Sequence, residues 1–287
     1  MEIIEITIGA ATDYFREELK EILDESELEQ TMQIIFSHYF KLDRIDLTLR
    51  KGDVLSPNDF QKIKDVITAL KTNKPIAQII GVWEFYGLLL KVNEHTLIPR
   101  PETEELVRLI IEENTNEELS ILDIGTGTGC IPLALKKEIP NAELFAYDIS
   151  EEALEIASEN SKNNNLEVTF SKVDILTYES QELKDKFDVI VSNPPYIPYK
   201  EKALMHANVL DFEPHIALFV EDTNPLLFYN AIANFAIDHL KENGKLYFEI
   251  NEQYGSELVQ LLIDKSFKNI NIVKDINEKD RMVSCNI

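Results

Sequence analysis

The 287-residue sequence predicts an α/β domain built on a mostly parallel sheet, preceded by a small all-helical domain. Three observations carry this prediction. From Ala10 to about Leu70 the apolar residues recur at helical spacing. Beyond Pro101 strand-like and helix-like runs alternate, an order that demands parallel crossovers. The first of those strands runs straight into a glycine-rich turn, as a ligand-binding strand-to-helix junction does.

In the N-terminal part, Leu19, Ile22 and Leu23, then Met32, Ile35, Phe36, Tyr39 and Phe40, mark successive helices of a bundle. Ser56-Pro57-Asn58-Asp59 reads as a helix start, with a capping side chain and proline in the first turn, leading into Phe60, Ile63, Val66, Ile67 and Leu70. Lys71 to Pro75 breaks the pattern, so the bundle is assigned residues 1–75. Residues 76–101 form a linker with a β-hairpin, its strands Trp83 to Leu90 and Lys91 to Ile98 parted near Val92-Asn93-Glu94-His95. Residues 102–287 form the α/β domain. Its expected order is helix Thr103 to Glu113, strand Ile121 to Ile124, helix Cys130 to Glu138, strand Glu143 to Tyr147, helix Glu151 to Asn163 and strand Val168 to Val173. Strand Phe187 to Val191, helix Pro225 to Glu242, strand Lys245 to Ile250, helix Ser256 to Lys265, and strands Asn269 to Lys274 and Met282 to Ile287 follow.

The glycine-rich turn is Gly125-Thr126-Gly127-Thr128-Gly129, whose spacing departs from the Gly-x-Gly-x-x-Gly dinucleotide fingerprint. Asp148 ends the next strand, about twenty residues on, where an acidic side chain can bind both hydroxyls of a ribose. Asp174-Ile175 ends the third strand, placed to meet an adenine edge and face. Together they describe a nucleoside pocket without a phosphate-binding lysine, which suits S-adenosyl-L-methionine better than ATP or NAD. Asp123 is positioned to organise the glycine-rich loop and to meet the ammonium of that cofactor's methionine part. Gly125, Asp148, Asp174 and Asn193 all fall at strand carboxyl ends and so converge on one rim.

Asn193-Pro194-Pro195-Tyr196 follows the buried strand Phe187 to Val191 and reads as a clamp for a flat NH2 group. The Asn193 side-chain oxygen is an acceptor, proline holds the backbone extended so that the Asn193 and Pro194 carbonyls can face the same pocket, and Tyr196 offers an aromatic face. Duller readings stand beside these: Asp148 as a cap for the following helix, Asp174 as a turn cap, Asn193 as a loop brace, Tyr196 as packing. Arg100 and Glu102, between and after two prolines, form either a structural ion pair or a border of the substrate entrance. None of the five histidines has a ligand or carboxylate at a motif spacing.

Composition narrows the partners. The formal charge is −24, from 28 basic and 52 acidic residues, which opposes general affinity for nucleic-acid phosphates and favours a basic protein partner, although an acidic surface also serves solubility. The two cysteines, Cys130 and Cys285, have no metal or disulfide spacing and read as reduced core residues. No run approaches the roughly 18 apolar residues of a membrane span, and the acidic start lacks a signal peptide's basic region, so a cytoplasmic protein without metal or membrane association is expected.

Over nearly its whole length the chain resembles the HemK/PrmC family of class I methyltransferases. Beyond the glycine-rich turn and Asn193-Pro194-Pro195-Tyr196, the matching pieces are Pro75-Ile76-Ala77-Gln78-Ile79-Ile80-Gly81, Phe85-Tyr86-Gly87 and Leu97-Ile98-Pro99-Arg100-Pro101-Glu102-Thr103-Glu104. Tyr196-Ile197-Pro198, Glu213-Pro214 with Ala217-Leu218, and Asp280-Arg281 also match. Asn251, after Phe248-Glu249-Ile250, stands where a glycine is expected, a loop variation behind the pocket. The resemblance implies a Rossmann-like, mostly parallel seven-stranded sheet with one antiparallel strand. It implies methyl transfer from S-adenosyl-L-methionine, leaving S-adenosyl-L-homocysteine, to the side-chain amide nitrogen of the glutamine in the Gly-Gly-Gln motif of class I peptide chain release factors, with the helical domain gripping the rest of the release factor. Asn193, Pro194 and Tyr196 take the catalytic roles, and Pro195, Arg100 and Glu102 join them in binding substrate. Asp123, Gly125 to Gly129, Asp148, Asp174, Ile175 and Asn193 hold the cofactor. Two other functions fit parts of the pattern: a methyltransferase for the exocyclic amine of adenine or guanine, which the same clamp would serve after base flipping, and a catalytically silent release-factor adaptor.

Overall fold

A computed structural model describes residues 6–114, 118–180, 183 and 185–287; Met1 to Glu5, which the signal-peptide reading concerned, lie outside them. The chain divides into two compact units, one running to Gly81 and taking in Ala207–Phe212, the other made of Val82–His206 and Glu213–Ile287.

In the helical unit, β1 (Ile6–Thr7) leads into α1 (Ile8–Leu19), followed by α2 (Glu25–Phe40), α3 (Arg44–Leu49), β2 (Val54–Leu55), α4 (Pro57–Leu70) and α5 (Ile76–Ile80). Local chemistry fixes each start. Asp24 and Glu27 form a reciprocal capping box on α2, Asp43 and Asp46 another on α3, and Ser56 accepts from the Asp59 amide at 3.1 Å with Pro57 in the first turn of α4. Phe15, Leu19, Met32, Ile35, Phe36, Ile63 and Ile67 are buried together, as their spacing predicts. Ile22 is an exception: it sits past the end of α1 and stays 42% exposed.

In the α/β unit a hairpin, β3 (Val82–Phe85) and β4 (Leu88–Lys91), comes first. It turns at Tyr86-Gly87, ahead of the expected 92–95 segment, because both turn residues adopt positive φ, 50° and 68°, the two-residue geometry whose twist matches paired strands. Then come α6 (Pro101–Glu113), β5 (Ser120–Ile124), α7 (Cys130–Glu138), β6 (Glu143–Asp148), α8 (Glu151–Asn164), β7 (Thr169–Lys172), β8 (Phe187–Ser192) and β9 (Ile197–Pro198). The short α9 (Ala207–Leu210) belongs to the helical unit, where Gln78 Nε2 donates to the Phe212 carbonyl at 2.8 Å. β10 (Phe219–Val220), which pairs with β9, α10 (Leu227–His239), β11 (Leu240–Glu249), α11 (Gly255–Asp264), β12 (Lys268–Lys274) and β13 (Asp280–Asn286) complete the chain.

The seven-stranded sheet has the order β12-β13-β11-β8-β5-β6-β7, and only β13 runs antiparallel to its neighbours. Its two faces follow the strand period of two. Leu122, Ile190, Leu246 and Phe248 face Tyr229, Phe235, Leu258 and Leu262 of α10 and α11, while Ile121, Val189, Val191 and Tyr247 face Leu106, Ile110, Leu133 and the hairpin's Phe85 and Leu90. Each such fully buried side chain contributes about 1.5–3 kcal/mol. Helix α10 stops at His239 instead of the expected Glu242, because Phe187 at the start of β8 takes Leu240 as its ladder partner and a register shift with Asn243 at φ 62° absorbs the residues up to Lys245.

Asn160, fully buried on α8, joins three segments. Its Oδ1 accepts from the Lys91 amide at 2.6 Å, and its Nδ2 donates to the carbonyls of Lys91 and Thr128, each at 3.0 Å. The hairpin, the helix and the glycine-rich turn are thereby fastened by one side chain. Asn160→Leu keeps the volume but leaves these backbone groups unpaired, so urea denaturation of the variant should show a loss of about 2–5 kcal/mol with an unchanged m-value.

Candidate active site

The glycine-rich turn leaves β5 and is held by β6. The Gly125 and Thr126 amides donate to the Tyr147 carbonyl at 2.8 and 3.1 Å, and the Gly127 amide donates to Asp148 Oδ2 at 2.9 Å. Gly129 begins α7 with φ 78°, and a Cβ there would stand 3.2 Å from Ala157 Cβ, so both conformation and space call for glycine.

Beside this turn lies a cavity of about 300 Å³ at the carboxyl ends of β5, β6 and β8 and beyond β7. Gly125, Gly127, Asp148, Asp174, Ile175, Asn193, Pro194 and Pro195, all singled out in the sequence, line it. Asp123, Thr126, Thr128 and Gly129 do not border it, and neither do Arg100, Glu102 and Tyr196. Val173, Phe228 and Ile232 make its wall apolar, and no lysine or arginine is among its lining residues.

Asp148 accepts from the Gly127 and Ser150 amides, at 2.9 and 3.0 Å, so each carboxylate oxygen keeps capacity for a ligand hydroxyl. Burial pushes its carboxyl above the usual range, with those backbone donors opposing. The cap of α8 is Ser150, which accepts from Ala153 N at 3.1 Å, so Asp148 does not fill that role. Asp174 does cap a turn, accepting from the Leu176 amide at 2.9 Å and the Thr177 hydroxyl at 3.2 Å, while still facing the cavity. Asp123 is wholly buried, and neither of its carboxylate oxygens has a hydrogen-bond partner. Burial pushes this carboxyl up to about 7, the nearby Thr126 hydroxyl pulls it down, and the charge of Asp148 raises it further. Burial also pushes the free thiols of Cys130 and Cys285 up to about 12, which keeps both protonated near neutral pH. Among the described residues no cluster suited to a metal ion occurs, and no helix is long and apolar enough to cross a membrane.

Asn193 Nδ2 donates to Thr103 Oγ1 at 3.2 Å, and Thr103 Oγ1 donates to Glu249 Oε2 at 2.6 Å. The other oxygen of Glu249 accepts from the Tyr196 hydroxyl at 3.1 Å. Glu249 is 2% exposed; burial raises its carboxyl, while Thr103, Tyr196 and the charge of Arg281 lower it. Arg281 is itself held by Asp275 at 3.0 Å. Asn251, at φ −73°, needs no glycine geometry; its Nδ2 donates to the Tyr196 carbonyl at 3.3 Å and its Oδ1 accepts from Gln253 N at 3.0 Å.

Arg100 pairs with Glu213 and not with Glu102. Glu213 is buried and also accepts from the Ile98 amide at 2.9 Å, which fastens the segment whose Pro214, Ile216 and Ala217 line the cavity. Glu102 lies half-buried in the first turn of α6, where its charge adds to the upward push on Glu249. Sequence reasoning passed over Thr103 and Glu249 as functional residues. A lone acidic residue inside the apolar run Leu246-Tyr247-Phe248-Glu249-Ile250 was the available signal, since a fully buried glutamate is rare without a partner.

These residues fit S-adenosyl-L-methionine by the chemistry of the donor set. Asp148 has acceptors to spare for a ribose, and Ile175, Val173 and Ile232 offer an apolar wall to adenine.

Family models for a methyltransferase domain and for the PrmC N-terminal domain match residues 115–253 and 10–81. The release factor glutamine methyltransferase of Flavobacterium psychrophilum is 47% identical over 276 residues, 95% of this chain and 96% of its own length. That of Bacteroides thetaiotaomicron is 41% identical over 275 residues, 96% and 98% of the two chains. Among solved structures, a methyltransferase from Pyrococcus furiosus aligns with a TM-score of 0.53 at 19% identity, covering 78% of this chain and 98% of that one, a likeness of fold. With the cavity, the glycine-rich turn and relatives matched over nearly their full lengths, the chain belongs to the release factor glutamine methyltransferase family.

Proposed function

We propose that this protein methylates the side-chain amide nitrogen of the glutamine in the Gly-Gly-Gln loop of class I peptide chain release factors, using S-adenosyl-L-methionine and leaving S-adenosyl-L-homocysteine. The observation that carries the reading is the presence of Asn193 and Pro194 in the wall of the same cavity as the glycine-rich turn and Asp148, so that amide acceptors and cofactor residues share one space.

S-adenosyl-L-methionine, when bound, supplies a methyl group made electrophilic by its sulfonium. An amide nitrogen is a poor nucleophile because its lone pair is delocalised, so the protein's work is to hold it in line and to stabilise positive charge as it develops there. The Asn193 side-chain oxygen and the Pro194 carbonyl accept the two N–H bonds of the glutamine amide. Their hold strengthens as those hydrogens become more acidic, which favours the transition state over bound substrate. With the cofactor bound, the nitrogen so held would take the methyl, S-adenosyl-L-homocysteine would leave, and the extra proton on nitrogen would pass to water. Tyr196, fixed through its hydroxyl to Glu249, braces the segment that carries Asn193 and Pro194. The glycine pair ahead of the target glutamine makes a loop narrow enough for the cleft, and the helical unit binds the remainder of the release factor. An acidic protein of net charge −24 suits a basic partner of the translation apparatus, and its place is the cytoplasm.

Mass spectrometry of a purified release factor incubated with enzyme and cofactor should place one methyl on the Gly-Gly-Gln glutamine; label found in RNA or DNA instead would mark a base methyltransferase, and label nowhere a silent adaptor. Asn193→Ala should lower kcat by about 10²–10³-fold while leaving the cofactor Kd near its original value. Asp148→Ala should raise that Kd, read by calorimetry, and an unchanged value would remove the ribose assignment. The fourth test concerns pH. Asp123 has a folded-state value raised from 3.8 to about 7, so the native protein keeps a proton that the unfolded chain releases, and stability contributed at this site falls as pH rises through that window. Asp123→Asn should therefore raise the Tm of the ligand-free protein more at pH 8 than at pH 4. The same variant should lose any gain in cofactor affinity that the native enzyme shows on passing from pH 6 to pH 8.

A further inference from the structure

Resting on the reading just given, we infer that Thr103 and Glu249 act as positioning residues which set the orientation and acceptor strength of the Asn193 amide. The argument begins with proton counting. A threonine hydroxyl has one hydrogen, and that of Thr103 is directed to Glu249 Oε2 at 2.6 Å. Toward Asn193, 3.2 Å away, Thr103 Oγ1 is therefore left as an acceptor, and only the NH2 end of the asparagine can meet it. With Nδ2 committed in this way, Oδ1 is the end left for a substrate N–H. An unconstrained asparagine at the rim of a cavity has no such preference, because its two ends are nearly equal in shape.

The same chain also polarises the amide. Each hydrogen bond in the series Glu249 to Thr103 to Asn193 strengthens the next in a low-dielectric setting, and drawing a proton of Nδ2 toward an anion-backed oxygen shifts electron density onto Oδ1. The carboxylate is placed for this work. Glu249 is 2% exposed, Arg281 supplies a nearby opposite charge, and its second oxygen takes the Tyr196 hydroxyl at 3.1 Å, so one buried group orients two members of the Asn-Pro-Pro-Tyr segment. Neither Thr103 nor Glu249 lines the cavity, which separates their task from binding. Sequence distance hides the arrangement: Thr103 is on α6, Asn193 follows β8, and Glu249 ends β11.

The experiment compares wild type, Thr103→Val, Thr103→Ser and Glu249→Gln with an intact release factor, recording kcat, KM, cofactor Kd and Tm. Thr103→Val keeps the shape but removes the relay oxygen, so kcat should fall about 10- to 100-fold with KM and cofactor Kd within about twofold of wild type. Thr103→Ser restores the hydroxyl and should return kcat to near the wild-type value. Glu249→Gln should lower kcat similarly, and if it lowers Tm strongly the two threonine variants decide the matter. Wild-type kcat in Thr103→Val overturns the relay, as does a loss that Thr103→Ser fails to recover. A wild-type enzyme that leaves the glutamine unmethylated overturns the proposed function, and the relay with it, whereas active wild type beside an unaffected Thr103→Val removes the relay alone.

Discussion

The central strand β5 is paired along both edges, Ile121 with Leu144 of β6 and with Val189 of β8, and all three strands point the same way. Parallel pairing has a geometric consequence: every strand delivers its carboxyl end to one rim, and the chain must cross back outside the sheet to begin the next. Because the strand order reverses at β5, the connections leaving β5 and β8 go to opposite faces and a crevice opens between them. The glycine-rich turn, Asp148, Asp174 and Asn193 share a space for that reason. They come from four separate stretches of sequence, and backbone hydrogen bonding brings them together.

A second layer of organisation is polar and buried. Glu249, Thr103, Tyr196 and Asn251 connect the end of β11 to the start of α6 and to the segment after β8. Buried polar groups of this kind are costly unless paired, and here both Glu249 oxygens accept hydrogen bonds while the charge of Arg281, itself paired with Asp275, lowers the carboxyl. Asp123 is the contrast. It is as deeply buried as Glu249 yet has no hydrogen-bond partner on either oxygen, and burial accordingly pushes its carboxyl up to about 7.

What the sequence displays and what it conceals follow from range. The alternation beyond Pro101, the cap at Ser56 and the glycine-rich turn are written in a few adjacent residues, so periodicity and composition reveal them. The hairpin turn at Tyr86-Gly87 was harder, because Tyr86 has the side chain of a strand residue and adopts φ 50° only under the twist of the paired strands. The start of β11 was hidden for a related reason, since the helical spacing of α10 carries on through Leu240 and only pairing with Phe187 converts it to strand. Asp148 and Asp174 were legible as strand-end carboxylates. The pairing of Arg100 with Glu213 and the link from Thr103 to Glu249 were not, because each joins residues more than a hundred positions apart and depends on which rim or face the fold assigns to them.

Asn160 gives the cleft a property that a static description of its walls omits. Its amide takes the Lys91 backbone on one side and the Thr128 carbonyl on the other, so the glycine-rich turn inherits its rigidity from a hairpin far away in sequence. Glycine-rich backbone is the most entropically expensive kind to order, and a ligand that had to freeze it would forfeit part of its own binding free energy. Here that ordering is completed during folding. A ligand entering the cleft meets a turn whose Gly125, Thr126 and Gly127 amides are already bonded to β6, and none of its affinity goes to ordering that backbone.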